Sequence, residues 1–422
     1  MNILWIANSL LPEAESQLGG NKEIKGTGGW VFTLANGLIE NEGINISIAA
    51  ITPIVKKLTV VKGKRITYYA IPYEGDVTYH NNYEKAYKEI CDIEHPDVIH
   101  IHGTEYPHSL AAINACGPNK TLVSIQGMVS VYAPYYMGGI SPKEARSCFT
   151  FRSLFRPSLM AEQREMKKRG LFEIETLKKA KYVTGRTSWD RENTWAINPN
   201  AVFLNCARIL RDEFYKDEWI YGKCSPHSIF LSQAGYPLKG LHKVIDAMSI
   251  VMKIYPDVQL RVAGHDITFS DASFKDRLRI SSYGKLIRRK IRDYHLENNV
   301  KFTGPLNANG IKAECLRSNV FICPSSIENS PNSLGEAQIL GVPCIASYVG
   351  GSMDMMRGDE DNLYRFEEVG MLAAKICAIF EKGSEIDTST MRDLARKRHD
   401  KETIVQEQLN IYKRIIEDNN SI

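Results

Sequence analysis

The sequence lacks any long hydrophobic run. No apolar stretch of its 422 residues approaches the roughly 18 that a bilayer-spanning helix needs. The first residues, MNILWIANSLLPEAES, also lack the basic region and small-residue cleavage site of a secretory signal, and they are predicted to form a first strand. With 43% hydrophobic and 24% charged residues, the composition is that of a globular protein, for which these absences predict a cytoplasmic location.

Paired cysteines and a strong charge imbalance are also missing. The nine cysteines form no Cys-x-x-Cys motif, and several lie in apolar runs such as FICPSS. They are therefore predicted to be buried free thiols in a reducing compartment. The formal net charge is only +4, which does not indicate a nucleic-acid partner. No internal repeat or low-complexity tract is evident.

Motifs for metals and dinucleotides are absent as well. His100 and His102 alternate along one predicted strand, but no third ligand at useful spacing and no His-Glu-x-x-His motif follows, so no metal site is predicted. No Asp-x-Asp motif stands out at a strand end, which disfavours chemistry that needs a divalent ion on a diphosphate. The segment GTGGW is not Gly-x-Gly-x-x-Gly, and no acid ends the strand NISIAAI, so a dinucleotide enzyme is not expected.

Short β-branched runs alternate with amphipathic helical patterns along most of the chain. A first series of predicted buried strands spans 2–8, 45–51, 97–103, 121–127, 182–188 and 201–205, with an inserted hairpin over 57–74. A second series begins near residue 228, with SIFLSQA, QLRVAG, VKFTGP, VFICPS and VPCIAS. Two such series predict an α/β protein with two facing Rossmann-like, doubly wound parallel sheets and a ligand cleft between them.

The predicted domain boundaries follow from these series. The first domain is assigned to residues 1–210 and a polar, aromatic linker to 211–227. The second domain spans 228–395, and a helical segment over 396–422 is predicted to pack back on the first domain.

The stretch SSIENSPNSLGEAQILGVPCIASYVGG, residues 325–351, places two carboxylates, Glu328 and Glu336, eight positions apart. Ser333 and Glu336 have the spacing of a capping box, with Ser333 as N-cap of a helix that ends at Gly341. The same helix start offers free N–H groups to a phosphate, and its carboxylate can accept hydrogen bonds from a ribose diol. Structural cap and ligand site are compatible interpretations, and both stay open from the local sequence.

This Glu-x7-Glu pair, with the preceding NVFICPSS and the following GVPCIASYVGG, resembles the donor site of retaining glycosyltransferases of family 4, which have the GT-B fold. The resemblance covers nearly the whole chain, including GTGGW and DVIHIHGTE. It implies that Glu336 binds the nucleotide ribose, that Glu328 contacts the transferred sugar, and that the amides of Ser333 and Leu334 hold the diphosphate. The donor would be a nucleotide-diphosphate sugar, with uridine favoured by the family, and no further cofactor is implied. The form ENSPNSLGEA resembles transferases of bacterial surface polysaccharides that use glycan or lipid-linked acceptors.

One cation of the family pattern is present and another is missing. Lys239, at a strand-to-helix turn, is predicted to neutralise the departing diphosphate, although a surface lysine near a helix start is the alternative. The family has an arginine five positions earlier, where this chain has Ala234. Arg208 is the candidate replacement.

The acceptor side is predicted from loops of the first domain. Gly28 and Gly29 would let the backbone approach a phosphate or acceptor at a helix start. His102 is predicted to line the cleft, and Gln126 stands where the family commonly has a histidine that contacts the transferred sugar. Because glutamine cannot carry charge, this substitution bears on sugar identity.

Two basic stretches complete the sequence evidence. Residues 146–170 mix Arg and Lys with Phe, Leu and Met, a composition suited to anionic lipid, whereas 285–295 is more typical of a solvated helix face. The family resemblance implies a metal-independent hexosyltransferase, and the first basic stretch adds peripheral contact with an anionic membrane as a further expectation. Because Ala234 and Gln126 replace polar family residues, a non-catalytic sugar-nucleotide-binding partner subunit remains an alternative, as does a phosphorylase or epimerase on the same fold.

Overall fold

The structure, a computed structural model, describes residues 1–19, 29–269 and 278–421. The chain divides into two compact units, each built around one sheet. The first unit comprises residues 1–132, 166–209 and 399–422, and the second comprises 133–165 and 210–398. Both sheets are covered by helices, so the predicted α/β class with two Rossmann-like domains is confirmed.

Within the described residues, the first unit has an eight-stranded sheet in the order β3-β4-β2-β1-β5-β6-β7-β8. Neighbouring strands are parallel, except that β3 and β4 form the predicted antiparallel hairpin. The order reverses at β1, with β2 on one side and β5 on the other. The strands are β1 (Asn2–Ala7), β2 (Asn45–Thr52), β3 (Thr59–Lys62), β4 (Ile66–Pro72), β5 (Val98–His102), β6 (Thr121–Ser124), β7 (Tyr182–Gly185) and β8 (Val202–Asn205).

Helices connect these strands, as parallel pairing requires. They are α1 (Pro12–Gln17), α2 (Gly29–Ile39), α3 (Asn81–Glu94), α4 (His108–Cys116), α5 (Val129–Tyr132), α6 (Pro142–Ser147), α7 (Leu159–Lys179) and α8 (Ser188–Ile197). Of these, α6 and the first seven residues of α7, 159–165, belong to the second unit. Thr187 and Asp190 cap the start of α8 with a reciprocal capping box.

Successive residues of β1 pack on opposite faces of the first sheet, as the strand period of two requires. Ile3 and Trp5 join one core cluster, whereas Leu4 and Ile6 join the other. This double burial explains why the strand reads as a continuous apolar run.

The second unit has a six-stranded, fully parallel sheet in the order β11-β10-β9-β12-β13-β14 among its described residues. Its strands are β9 (Ser228–Leu231), β10 (Gln259–Val262), β11 (Val300–Phe302), β12 (Val320–Cys323), β13 (Cys344–Ser347) and β14 (Leu363–Tyr364). The order reverses between β9 and β12. The two-residue β14 carries no sequence pattern of its own and was not predicted.

The helices of the second sheet are α9 (Leu241–Val251), α10 (Ser282–Asp293), α11 (Ala308–Leu316), α12 (Asn332–Leu340), α13 (Ser352–Met355), α14 (Val369–Lys382) and α15 (Ser389–Arg398). The last helix, α16 (Lys401–Asn420), belongs to the first unit. Successive residues of β9 again pack on opposite faces of the sheet. Ile229 and Leu231 join one core cluster, and Phe230 joins the other.

Two segments differ from the predicted domain boundaries. Residues 133–165 were assigned to the first domain, but Ile140, Cys148 and Leu159 are buried in a core of the second unit. The segment 211–227, predicted as a linker, contributes buried Phe214 and Trp219 to the other core of that unit. Both segments carry buried apolar residues, and that burial fixes the unit to which each belongs.

All nine cysteines are free, and five of them are buried: Cys148, Cys206, Cys315, Cys323 and Cys344. Among the helices in the described part of the chain, none combines the length and apolarity required to cross a bilayer.

Candidate functional site

The carboxyl ends of β9 and β12 bring together Lys239 and Glu328. This is the point where the strand order of the second sheet reverses, the usual ligand position in open α/β sheets. Lys239 Nζ donates a hydrogen bond to Glu328 Oε1, and Ser325 Oγ donates to the same oxygen at 2.8 Å. The Lys239 and Glu328 side chains are 16% and 8% exposed. The predicted cation and carboxylate are therefore adjacent, which the sequence did not foresee.

The charge of Lys239 depends on this pairing. Burial disfavours its charged form, but the Glu328 carboxylate and the Tyr236 hydroxyl raise its pKa above the ordinary value. The ammonium lies 6.0 Å from the centre of the Tyr236 ring. A cation held at the end of β9 can balance negative charge that develops beside it.

Glycines hold the two loops close together. A Cβ at Gly240, where φ is +73°, would lie 1.8 Å from the carbonyl oxygen of Pro324. A Cβ at Gly350, where φ is +51°, would likewise lie 1.8 Å from the carbonyl oxygen of Glu328. That oxygen also accepts a 2.9 Å hydrogen bond from the Gly351 N–H. The glycine pair after β13 thus fixes the backbone that carries Glu328.

Glu336 is held by an arginine that was not predicted. Arg211 Nε and Nη2 donate to Glu336 Oε1 and Oε2 at 2.6 and 2.7 Å, a bidentate pair. The Glu336 side chain is 4% exposed and that of Arg211 is 30% exposed. Burial raises the pKa of Glu336, and the guanidinium acts in the opposite direction. Because Arg211 lies 125 positions away, no local pattern could indicate it.

The capping box proposed for Ser333 and Glu336 is wrong. The helix α12 begins at Asn332 with Pro331 as N-cap and no side-chain cap. Ser333 is therefore inside the first turn, and the Glu336 carboxylate is directed to Arg211 instead of the helix start. The predicted end at Gly341 is confirmed, with φ at +82°.

The amides predicted to hold the diphosphate lie in the first turn of α12. The Leu334 N–H donates to the Pro331 carbonyl at 3.1 Å, and the Leu334 side chain is fully buried. Ser333 is half-buried. Their roles remain predictions, as do those of Lys239, Glu328 and Glu336.

Ala234, where the family has an arginine, is buried in the core of the second unit. The replacement proposed for that cation, Arg208, lies in the first unit. Burial and the nearby Arg186 lower the pKa of Arg208, whereas Glu105 and Asp190 act in the opposite direction. Its proposed role remains a prediction.

His100 and His102 lie side by side in the first unit, with ring centroids 3.8 Å apart. His100 Nδ1 lies 2.7 Å from the Tyr412 hydroxyl of α16, and both rings contact Trp5. Burial lowers the pKa of His100 to about 3 and that of His102 well below its ordinary value, where His100 and Arg208 add to the effect. Both imidazoles are therefore neutral near pH 7. Among the described residues, no group of three or more His, Cys, Asp or Glu side chains could hold a metal ion.

A small cavity in the first unit links His102 to further polar residues at strand ends. Its lining includes His100, His102, Arg186 and Arg208. Gln126 follows β6, and its Nε2 donates to the main-chain carbonyl of His102 at 3.0 Å. The main-chain carbonyl of Gln126 accepts from Arg186 Nη2 at 2.9 Å. Sequence reasoning missed Arg186, although its position directly after β7 was a usable signal.

Glu105 and Asn8 extend this polar edge. Asn8 Nδ2 donates to Glu105 Oε2 at 3.4 Å, at the carboxyl ends of β5 and β1, where the first sheet reverses its order. Burial raises the pKa of Glu105, while Asn8, Arg208 and Arg186 act in the opposite direction. Gly29 begins α2, and Gly28 lies outside the described residues.

Comparisons with known proteins agree with this architecture. Residues 223–398 match the family model described as Glycosyl transferases group 1. The matched residues make up most of the second unit. A search of curated protein sequences found no match.

Solved structures of similar fold cover almost the whole chain. Sucrose-phosphate synthase from Thermosynechococcus elongatus has a TM-score of 0.69 at 15% identity, over 98% of each chain. HepE from Anabaena, solved in complex with UDP, has a TM-score of 0.64 at 16% identity, over 98% of this chain and 100% of that one. An E. coli trehalose-6-phosphate protein bound with UDP-2-fluoro glucose has a TM-score of 0.63 at 11% identity, over 98% and 99%. The protein therefore has the GT-B fold.

Proposed function

We propose that this protein is a retaining glycosyltransferase that moves a hexosyl unit from a nucleotide-diphosphate sugar to a glycan or lipid-linked acceptor. The observation that carries the proposal is the buried Lys239–Glu328 pair at the switch point of the second sheet. It lies inside the region that matches the glycosyltransferase family model. Bacterial surface-polysaccharide synthesis, at the inner face of the membrane, is the setting suggested by the sequence resemblance.

The donor nucleotide is assigned to Glu336 and the first turn of α12. The Glu336 carboxylate would accept hydrogen bonds from the ribose hydroxyls, with Arg211 fixing its orientation and favouring its ionised form. Ser333 and Leu334 would lie beside the diphosphate at the positive end of the helix dipole. Uridine is the favoured base, because two proteins of similar fold bind UDP or a UDP-sugar.

The transfer step needs charge compensation more than acid–base chemistry. The bond between the sugar anomeric carbon and the diphosphate breaks, and a new bond forms from that carbon to the acceptor hydroxyl oxygen on the same face. The hydroxyl proton passes to an oxygen of the departing diphosphate. Lys239 would neutralise the developing negative charge, and Glu328 would orient the sugar hydroxyls. No step requires a metal ion.

The acceptor is assigned to the carboxyl edge of the first sheet. His102 is the predicted acceptor contact, and Gln126 beside it is the predicted contact of the transferred sugar. The structure adds Arg186 and Glu105 to the polar groups at that edge. Gly29, at the start of α2, keeps its proposed role, and the same role is proposed for Gly28, which lies outside the described residues. Neutral imidazole and amide groups suit the recognition of sugar hydroxyls, since both can form uncharged hydrogen bonds.

A non-catalytic sugar-nucleotide-binding subunit is the second candidate. The buried Ala234 favours it, because an alanine supplies no cation at that position. A phosphorylase or epimerase on the same fold is a further alternative, and product analysis without added acceptor would separate the epimerase. The pairing of Lys239 with Glu328 favours the transferase.

The proposal is tested first by thermal stabilisation with UDP, GDP, ADP and their sugar adducts. A ligand at about 100 times its dissociation constant adds about 2.7 kcal/mol to the free energy of unfolding. Stabilisation by UDP and a UDP-sugar would support the assignment and select donors for transfer assays. No shift with any nucleotide would overturn both the transferase and the binding-subunit proposals, and binding without turnover of any donor would favour the latter.

A further inference from the structure

Four large apolar side chains project from one short segment of the second unit. Phe149, Phe151, Leu154 and Phe155 are between 54% and 73% exposed. The rings of Phe151 and Phe155 contact each other edge to face, with centroids 5.5 Å apart. We call these four residues the 149–155 patch. Exposure of these apolar side chains to water is unfavourable, which indicates that the surface contacts a binding partner.

Buried neighbours and a contact with α10 anchor the patch to the second unit. Between the exposed residues, Cys148 and Thr150 are buried, and Leu159 enters the core of the second unit. Ser153 Oγ lies 3.1 Å from Ser282 Oγ, at the start of α10. The chain thus buries its small side chains and presents its large ones, which is the reverse of ordinary core formation.

Cations surround the patch. Arg146, Arg152 and Arg156 are exposed on the same segment. The helix α10 adds Lys285, which donates to the Phe149 carbonyl at 2.8 Å, and Arg289, which donates to Ser147 Oγ at 3.1 Å. The two basic stretches that the sequence treated separately therefore form one surface. Glu144, 3.4 Å from Arg289, supplies a carboxylate beside these five cations.

We propose that the 149–155 patch docks on a bilayer whose headgroups are anionic. Phenylalanine and leucine side chains can enter the headgroup boundary, while arginine and lysine bind the lipid phosphates, each worth about 1 kcal/mol near the surface. A second copy of the chain fits less well, because a twofold interface would bring the cationic rims close together. The proposal goes beyond glycosyl transfer and does not depend on it.

The test is co-sedimentation of the full-length protein with vesicles of phosphatidylcholine alone or with phosphatidylglycerol added. Binding is expected only to the anionic vesicles and should weaken as salt rises, since salt screens the headgroup charge. Arg146→Glu/Arg156→Glu should reduce the partition coefficient by on the order of 30-fold or more, from about 1 kcal/mol per cation. Phe151→Ser/Phe155→Ser should reduce it comparably.

Ile254→Ser is the matched control, because Ile254 is 63% exposed and lies elsewhere on the second unit. It should bind like the wild type. The thermal midpoint and UDP shift of each variant, measured without vesicles, show whether the variant folds and keeps its nucleotide site. Absent binding, equal binding to neutral vesicles, or unchanged binding by both double variants would overturn the proposal. A dimer that Phe151→Ser/Phe155→Ser dissociates would also overturn it in favour of self-association.

Discussion

At the scale of residues, the candidate site consists of two buried carboxylates, each paired with a cation. Glu328 is paired with Lys239, and Glu336 with Arg211. A carboxylate this deeply buried stays ionised only if a cation or several donors compensate it. The two pairs therefore keep both carboxylates available as hydrogen-bond acceptors for a polyhydroxylated ligand.

Glu336→Ala should weaken UDP binding by about 10- to 100-fold, because a hydrogen bond to a charged group contributes about 1.5–3 kcal/mol. Calorimetric titration with UDP and 2′-deoxy-UDP measures the ribose contribution, and the variant should lose its preference for UDP. Glu328→Gln is the comparison, expected to keep UDP affinity and lose turnover. Equal UDP affinity for wild type and Glu336→Ala would remove the ribose assignment.

Arg211→Met should lower the free energy of unfolding by about 1–3 kcal/mol, less than the 3–5 for a fully buried pair because Arg211 is 30% exposed. Loss of the guanidinium should raise the pKa of Glu336 further, so that UDP binds the variant better as pH rises. Affinity measured across pH 5 to 8 checks this against Glu336→Gln, whose profile contains only the titration of the UDP phosphate and of groups other than residue 336. A profile in Arg211→Met that matches that of Glu336→Gln would mean that Arg211 does not act through Glu336.

At the scale of elements, the site depends on loops that follow strands and on the helices that seal the sheets. Glycines let the loops after β9, β12 and β13 approach one another more closely than a Cβ allows. In the first unit, the buried His100 of β5 lies within hydrogen-bonding distance of the Tyr412 hydroxyl, which connects the sheet to α16. Both features join segments that are distant in sequence.

Gly350→Ala should reduce both stability and transfer activity. Its φ of +51° costs an L-residue about 1–2 kcal/mol, and the new Cβ would displace the carbonyl of Glu328. Gly370→Ala, on α14, would place its Cβ more than 4 Å from any atom outside the adjoining residues and the local helix backbone, and it should leave activity unchanged and raise stability by up to about 1 kcal/mol. Thermal midpoints and turnover distinguish the two; a fully active Gly350→Ala would show that the loop position is unimportant.

The buried histidines predict acid sensitivity of the first unit. Since the folded pKa of His100 is about 3, against about 6.5 unfolded, the unfolded state binds more protons as pH falls below 6.5. Stability should therefore be complete above this pH and decrease by up to about 1.4 kcal/mol per pH unit for this residue below it. His100→Asn should show a shallower fall of the thermal midpoint between pH 7.5 and 5, with exposed His95→Asn as control. An unchanged slope in His100→Asn would contradict the assignment.

At the scale of the whole molecule, each unit is assembled from separated parts of the chain. The first unit includes residues 399–422, and the second takes up 133–165. Helix α16 buries Ile404, Leu409, Tyr412 and Ile415 in the first core, and the Trp5 indole donates to the Tyr412 hydroxyl at 3.0 Å. The last helix is thus part of the core that begins at the first strand.

A chain that ends at Arg398 should have an unstable first unit. Removing these four side chains and Ile411, all buried in the same core, at about 1.5–3 kcal/mol each, takes away an amount comparable to the stability of an ordinary domain. Limited proteolysis should cleave residues 1–132 and 166–209 much faster than in the full chain. A chain ending at Asn420, which keeps α16, is the control; equal protection of both would show that α16 is dispensable.

The sequence by itself determined the two α/β units, most strand positions, the helix end at Gly341 and the candidate carboxylates. These features depend on local apolar periodicity, turn chemistry and short motifs. Only the tertiary structure decided that Pro331, and not Ser333, precedes α12, and that Glu336 is paired with Arg211. It also united the two basic stretches around the 149–155 patch. The Arg211–Glu336 pair and the contacts between the two basic stretches join residues more than 100 positions apart, and packing of the separated segments sets these partners without leaving a local trace in the sequence.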